Sequence, residues 1–160
     1  MKIEKIKYDG FYIGWQGNRR LLFTRNLSPG KSFFKERLIT ENGIEYREYN
    51  PSRSKLGASI IKRIDEIPIQ SGSKVLYLGA SHGYTPSFVS DVVGPNGFVF
   101  ALDFAPRVVR DLYFVCEPRN NMAPILGEAN KPETYADKIS EVDVIYQDIA
   151  QKLQIEILFK

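Results

Sequence analysis

Val75-Leu76-Tyr77-Leu78-Gly79-Ala80-Ser81-His82-Gly83-Tyr84-Thr85 is the stretch on which the reading of this chain turns. An apolar run stops at Gly79, and a second glycine follows at Gly83. From Thr85 onward Phe88, Val89, Val92 and Val93 keep helical spacing. The pattern predicts strand, tight loop, helix. Gly94-Pro95-Asn96-Gly97 then signals a turn, and a second apolar run, Phe98 to Leu102, closes on Asp103. That sequence of elements is the opening unit of a nucleoside-binding, doubly wound parallel sheet. The loop has the spacing G-x-x-x-G and lacks the middle glycine that admits a pyrophosphate. A cofactor without phosphates suits it better, and S-adenosylmethionine is the common one. Asp103, at the end of the second strand, can accept hydrogen bonds from both ribose hydroxyls. The plainer reading is a tight turn in any α/β protein and an unrelated acid.

With 160 residues the chain has room for one domain, or one with a small appendage. Its 43% hydrophobic and 26% charged residues are ordinary for a water-exposed globular protein. The net charge of +3 is compatible with nucleic acid without pointing to it. A single cysteine, Cys116, rules out an internal disulfide and fits a reducing compartment. No apolar run approaches a membrane span, and Met1-Lys2-Ile3-Glu4 opens no signal-peptide core, so a cytoplasmic protein is expected. The lysine and isoleucine of Ile3 to Lys7 read as compositional bias.

Residues 1–50 read as a small N-terminal antiparallel sheet and residues 51–160 as the main α/β domain. Gly10 to Trp15 and Arg19 to Thr24 flank a Gly17-Asn18 turn, and Arg37 to Thr40 and Ile44 to Tyr49 flank Asn42-Gly43, a strong hairpin signal. The aromatics here are either an interaction face or the sheet's own thin core. After Asn50-Pro51, a helix is expected from Lys55 to about Glu66 on the apolar positions Leu56, Ile60, Ile61 and Ile64. Lys62 and Arg63 on it are read as a solvated face. Past Asp103, Pro106 opens a third helix that Pro118 ends. Ala123 to Gly127 is a short third strand, Glu133 to Ile139 a short helix, and Asp143 to Asp148 a fourth strand with an acid at its end. Gln151 onward looks helical. His82 reads as a solvated loop residue, and no metal-ligand spacing is present.

Four stretches in order resemble the fibrillarin family. Asn50-Pro51-Ser52-Arg53-Ser54-Lys55-Leu56 is similar to its N-P-x-R-S-K-L element. Leu76 to Gly79 with Thr85 to Gly94 resembles its cofactor loop and following helix, and Phe104-Ala105-Pro106-Arg107 resembles its F-S-P-R turn. Val142-Asp143-Val144-Ile145-Tyr146-Gln147-Asp148-Ile149-Ala150-Gln151 resembles its strand end, which opens on D-V and closes on D-V-A-Q. The resemblance implies a Rossmann-like, S-adenosylmethionine-dependent methyltransferase fold. It implies 2′-O-methylation of ribose in rRNA and tRNA, within a box C/D guide ribonucleoprotein. Its implied partners are the guide RNA, the target RNA and a Nop-domain scaffold protein. It assigns Lys55 and Asp148 as catalytic residues, and Arg53 with Lys55 to RNA. Cofactor contacts fall on Gly79, Ala80, Gly83, Tyr84, Thr85, Asp103, Phe104, Glu128, Ala129, Asp148 and Gln151.

The chain departs from the family pattern at several points. Tyr84 stands where the family usually has threonine, and a ring there could crowd the methionine end of the cofactor. Asp103 replaces a glutamate, Gly127-Glu128-Ala129 replaces G-D-A, and Gln147 replaces an acid. Nothing after Gln151 matches the family's further strands, which carry a second catalytic lysine. The expectation is a C-terminally incomplete domain, inactive alone. It would self-associate through the fourth-strand edge or need a separately encoded half. Two functions stand at this stage: an RNA 2′-O-methyltransferase, or a non-catalytic component of the same particle. Without the resemblance, Lys55 would be a helix-start lysine in solvent and Asp148 a helix N-cap.

Overall fold

The computed structural model describes residues 1–160. β1 (Ile3–Lys5), β2 (Phe11–Gln16), β3 (Arg19–Arg25), β4 (Leu38–Glu41) and β5 (Ile44–Glu48) form an antiparallel sheet in the order β1-β2-β3-β5-β4. Both expected hairpins are present, with Gln16 opposite Arg19 and Glu41 opposite Ile44. Asn42 and Gly43 have φ of 51° and 77°, the left-handed pair that a tight two-residue hairpin demands. β1 lies within the Ile3 to Lys7 stretch, which carried no strand expectation, and Ile3 to Lys5 pair with Gly14 to Tyr12. Alternation sends Phe11, Ile13 and Leu22 to one face, into the main core, and Leu21, Phe23 and Tyr46 into a smaller cluster on the other. Most of the aromatics are thus core, and Trp15 alone among them is largely open, at 55% exposure.

α1 (Lys55–Ile61) is shorter than expected. Arg63 takes a left-handed φ of 62°, its N–H donates to Ile60 O, and the Ile64 N–H donates to Ser59 O. This is a Schellman end, reached with arginine in the place glycine usually fills. Ile64 therefore lies outside the helix, and its carbonyl accepts from the Tyr8 hydroxyl.

β6 (Lys74–Leu78), β7 (Phe98–Asp103), β8 (Met122–Leu126) and β9 (Val144–Gln147) make a parallel sheet in the order β8-β7-β6-β9. α2 (Tyr84–Val93) and α3 (Pro106–Cys116) are the crossovers, and α4 (Gln154–Leu158) follows β9. Val75, Leu76, Tyr77 and Leu78 are all buried, as expected for a strand covered on both faces. The helix expected over Glu133 to Ile139 is instead two 3-10 turns, Pro132–Thr134 and Ala136–Lys138. They break at Tyr135, whose φ of −144° is extended and whose buried ring sends its hydroxyl to Ala129 O at 3.2 Å.

One hydrophobic cluster joins the two sheets: Phe11, Ile13 and Leu22 pack with Tyr49, Leu56, Ile60, Tyr77, Phe88 and Val92. Burying a side chain such as Phe88 contributes roughly 1.5–3 kcal/mol. A buried polar bridge runs beside it. Asp91 of α2 accepts from the Thr24 hydroxyl at 2.8 Å, Arg47 Nη1 at 2.9 Å and Arg119 Nη1 at 2.7 Å. Arg47 also reaches Glu36 at 2.7 Å, and its guanidinium sits 4.1 Å from the Phe88 ring centroid. No helix is long and apolar enough to cross a membrane.

Candidate functional site

Two contiguous clefts open at the carboxyl ends of the parallel strands, where such sheets bind ligands. The first, about 390 Å³, is lined by Gly79, Asp103, Phe104, Gly127, Ala129 and Gln151. The second, about 490 Å³, is lined by Phe34, Arg53, Tyr77, His82, Tyr84 and Thr85. Gly79, Ser81 and Asp148 border both. A larger hollow of about 590 Å³, near Lys5, Arg25, Asn26 and Pro95, lies away from these strand ends.

Backbone geometry at Gly79 creates the first cleft. Its φ is +88°, and a Cβ there would sit 2.3 Å from the Asp148 carbonyl oxygen. Only glycine lets the end of β6 lie so close to the end of β9. The N–H groups of Gly79 and Ala80 both donate to Leu102 O, at 2.9 and 2.8 Å. Gly83, at φ +93°, then turns the chain into α2 against Leu112. Asp103 holds the far wall: Oδ2 accepts from the Ser81 N–H at 2.9 Å and Oδ1 from the Ala105 N–H at 3.1 Å. Each oxygen keeps a further lone pair for a ligand hydroxyl. Phe104 beside it is 62% exposed, an open ring for stacking. Ala129 is buried along the wall, whereas the Glu128 carboxylate turns to Lys131 at 3.0 Å. The Glu128 side chain, expected among the cofactor contacts, is thus directed elsewhere.

At the border with the second cleft, Lys55 Nζ lies 2.6 Å from Asp148 Oδ1. Lys55 is the first residue of α1, and its place is fixed by the helix cap before it. Ser54 Oγ accepts from the Gly57 N–H at 3.3 Å and from the Thr85 hydroxyl at 3.0 Å, and bonds the Tyr49 hydroxyl at 2.5 Å. Tyr49 in turn stacks on Phe88 at 4.2 Å. The Tyr77 hydroxyl donates to Asp148 Oδ2 at 3.4 Å. Burial, with Tyr146 and the Asp148 charge behind it, pushes the Tyr77 phenol well above its usual range, so it remains a donor.

Tyr84 packs its ring on Phe88 at 5.1 Å and Phe34 at 5.3 Å, and its hydroxyl accepts from the Asn50 N–H at 3.0 Å. The ring is thereby committed to the segment that carries Arg53. Arg53 lies over it at 4.1 Å and donates through Nη1 to Phe34 O at 3.3 Å. His82 is exposed, with Nδ1 3.2 Å from Asp111. The sequence reading did not single out Ser54, Tyr49, Tyr77 or Phe34. Ser54 carried a usable signal, a serine directly before the first helical residue. Tyr77 carried none, because a buried strand residue looks alike whichever way its hydroxyl points.

The acid, the open ring and the glycine loop fit an adenosine-bearing cofactor, and the comparison with known proteins agrees with this geometry. The fibrillarin family profile matches residues 3–160. The chain belongs to the fibrillarin family. It is 49% identical over 160 residues to the fibrillarin-like rRNA/tRNA 2′-O-methyltransferase of Thermococcus onnurineus, covering 99% of this chain and 70% of that protein. Aeropyrum pernix fibrillarin, solved with natively bound S-adenosyl-L-methionine, superposes with a TM-score of 0.94 at 40% identity, over 98% of this chain and 69% of that one. The structure of a fibrillarin/Nop5p complex matches with a TM-score of 0.77 at 37% identity, over 92% and 66%. This fibrillarin-family chain thus spans about 70% of the length of the T. onnurineus protein.

Proposed function

We propose that this chain is an S-adenosylmethionine-dependent RNA 2′-O-methyltransferase, acting on ribose in rRNA and tRNA. The 2.6 Å contact between Lys55 and Asp148 at the junction of the two clefts carries the reading, and favours it over a non-catalytic role. Asp103 receives the ribose hydroxyls of the cofactor, Phe104 and Ala129 flank its adenine, Gly79 and Gln151 line the cleft around it, Ala80 and Thr85 line the adjoining one, and Gly83 turns the loop between them and α2. When bound, the cofactor supplies an electrophilic methyl group. The protein's chief contribution is to hold the target hydroxyl in line with that group. Asp148 orients the hydroxyl and takes its proton as the oxygen gains the methyl group. Lys55, already on Oδ1, stabilises the negative charge that develops on the oxygen. In this reading a Nop-domain scaffold protein holds the chain, a guide RNA selects the nucleotide, and methylation takes place in the cytoplasm.

The test is methyl transfer from radiolabelled cofactor to a target RNA, in a particle assembled with guide RNA and scaffold protein. Asp148→Ala is expected to lose turnover by about 10²–10⁴-fold while still binding cofactor. Undiminished transfer by that variant would remove Asp148 from the chemistry.

A further inference from the structure

Beside the second cleft runs a shallow groove of about 230 Å³, lined by Phe34, Lys35, Arg37, Glu48, Arg53 and Tyr84. Phe34, Arg53 and Tyr84 belong to both, so the groove is continuous with the cleft. Its charges are not balanced. Glu36, which also borders it, turns its carboxylate inward to Arg47, with its side chain only 3% exposed. Glu48 is taken up by Arg37 at 2.9 Å. Lys35 and Arg53 are exposed and have no carboxylate partner. The groove therefore offers solvent two free cations and no free acid.

The backbone that carries Lys35 and the guanidinium of Arg53 are both held in place. Lys35 sits at a left-handed φ of 59°, in a turn closed by Glu36, whose Oε2 accepts from the Phe34 N–H at 2.8 Å and the Ser32 hydroxyl at 2.9 Å. Arg53 sits over the Tyr84 ring, 4.1 Å from its centroid, and commits one N–H to Phe34 O, which leaves the rest of its guanidinium fork free. A stacked arginine with free donors is suited to phosphate oxygens.

Resting on the reading that this chain acts on RNA, we propose that the groove from Lys35 past Arg53 carries the phosphate backbone of the strand entering the catalytic cleft. Tyr84 is the platform that aims Arg53 at it. The order of the parts suits a strand laid along them. Its ribose reaches Asp148 while its neighbouring phosphates lie against Arg53 and then Lys35. The tyrosine ring here orients substrate in place of crowding cofactor.

The test is binding of a short single-stranded RNA by fluorescence anisotropy, across a salt series, with S-adenosylmethionine present. Lys35→Ala and Arg53→Ala should each weaken binding several-fold and reduce the salt slope by about 0.7. Lys35→Arg should restore both. Tyr84→Leu should cost about as much as Arg53→Ala, and the double variant no more than either, because the two residues act as one. Lys35→Ala should melt and bind cofactor as the wild type does, Lys35 being exposed and outside the cofactor cleft. Wild-type affinity and slope in Lys35→Ala would overturn the proposal, as would absence of RNA binding by the wild type at low salt. An effect confined to binding of a Nop-domain protein would give the groove to a protein partner and overturn it too. Methyl transfer is not read in this assay, so these results leave the role of Asp148 to its own test.

Discussion

At Gly79 a single hydrogen atom sets the distance between the strand ends that make the site. Replacing it by a methyl group would both strain a φ of +88° and press on the Asp148 carbonyl. Gly79→Ala should therefore cost about 1–3 kcal/mol of stability from the backbone alone. It should also displace Asp148, read as a lowered denaturation midpoint together with lost methyl transfer. Asp103 acts at the same scale. Asp103→Ala should weaken S-adenosylmethionine by about 1–3 kcal/mol through lost charge-assisted hydrogen bonds. Equal calorimetric affinities for the two proteins would sink that assignment. Both residues were legible in the sequence, because a strand that stops on glycine and a strand that stops on an acid are local patterns. The turning away of Glu128 was not legible. It depends on Lys131, three residues on, and on the irregular turns that follow.

At the scale of elements, α2 binds together parts that the sequence reading treated separately. Its Thr85 fixes the cap of α1, and its Asp91 holds Arg47 of β5 and Arg119 before β8, with all three of these charged side chains at 0% exposure. Such an arrangement costs desolvation to build and is dangerous to break. Asp91→Asn would leave two buried arginines short of one charge. It should lower stability by about 3–5 kcal/mol, measured by urea denaturation. A change under about 1 kcal/mol would mean that water reaches the site. Nothing in the sequence pointed here, since Arg47 sits in an alternating strand whose other face was equally able to take it. The end of α1 was hidden for a different reason. Ile64 continues the apolar spacing, but Arg63 adopts a backbone conformation that residue type alone disfavours. The strands, by contrast, were visible as apolar runs bounded by turns.

Across the whole molecule, the antiparallel and parallel sheets share one core, so their stability should be lost together. Acid offers a way to see this. Burial opposes ionisation of Glu36, but Arg47 and the hydrogen bonds from its own loop outweigh it and hold the carboxyl below its ordinary 4.5. The unfolded chain therefore takes up the proton first as pH falls, so this stabilisation is intact above 4.5 and lost below it. The Asp9 carboxyl, held down by the Ser71 N–H and helped by Lys5, has the same sign. Denaturation midpoints should begin to drop as pH falls through about 4.5, and Glu36→Gln should flatten the decline. A profile unaltered by Glu36→Gln would place the acid sensitivity elsewhere.

Lys55 and Asp148 stand 93 positions apart, and that separation has a consequence in time. Everything that holds Lys55 (Tyr49, Ser54 and Thr85) is encoded early and can close on itself. Asp148 directly follows β9, which pairs only with β6 and brings a long loop with it. Contacts of that span form slowly, because the entropy of closing the loop is lost before the pairing offsets it. During refolding from urea, far-UV ellipticity should return before the cofactor can bind, with the interval marking the docking of β9. Stopped-flow traces in which the two signals rise together would show that this strand is in place from the start. The Lys55–Asp148 contact would then form late, so that a half-folded molecule would lack the pair proposed to handle the target hydroxyl.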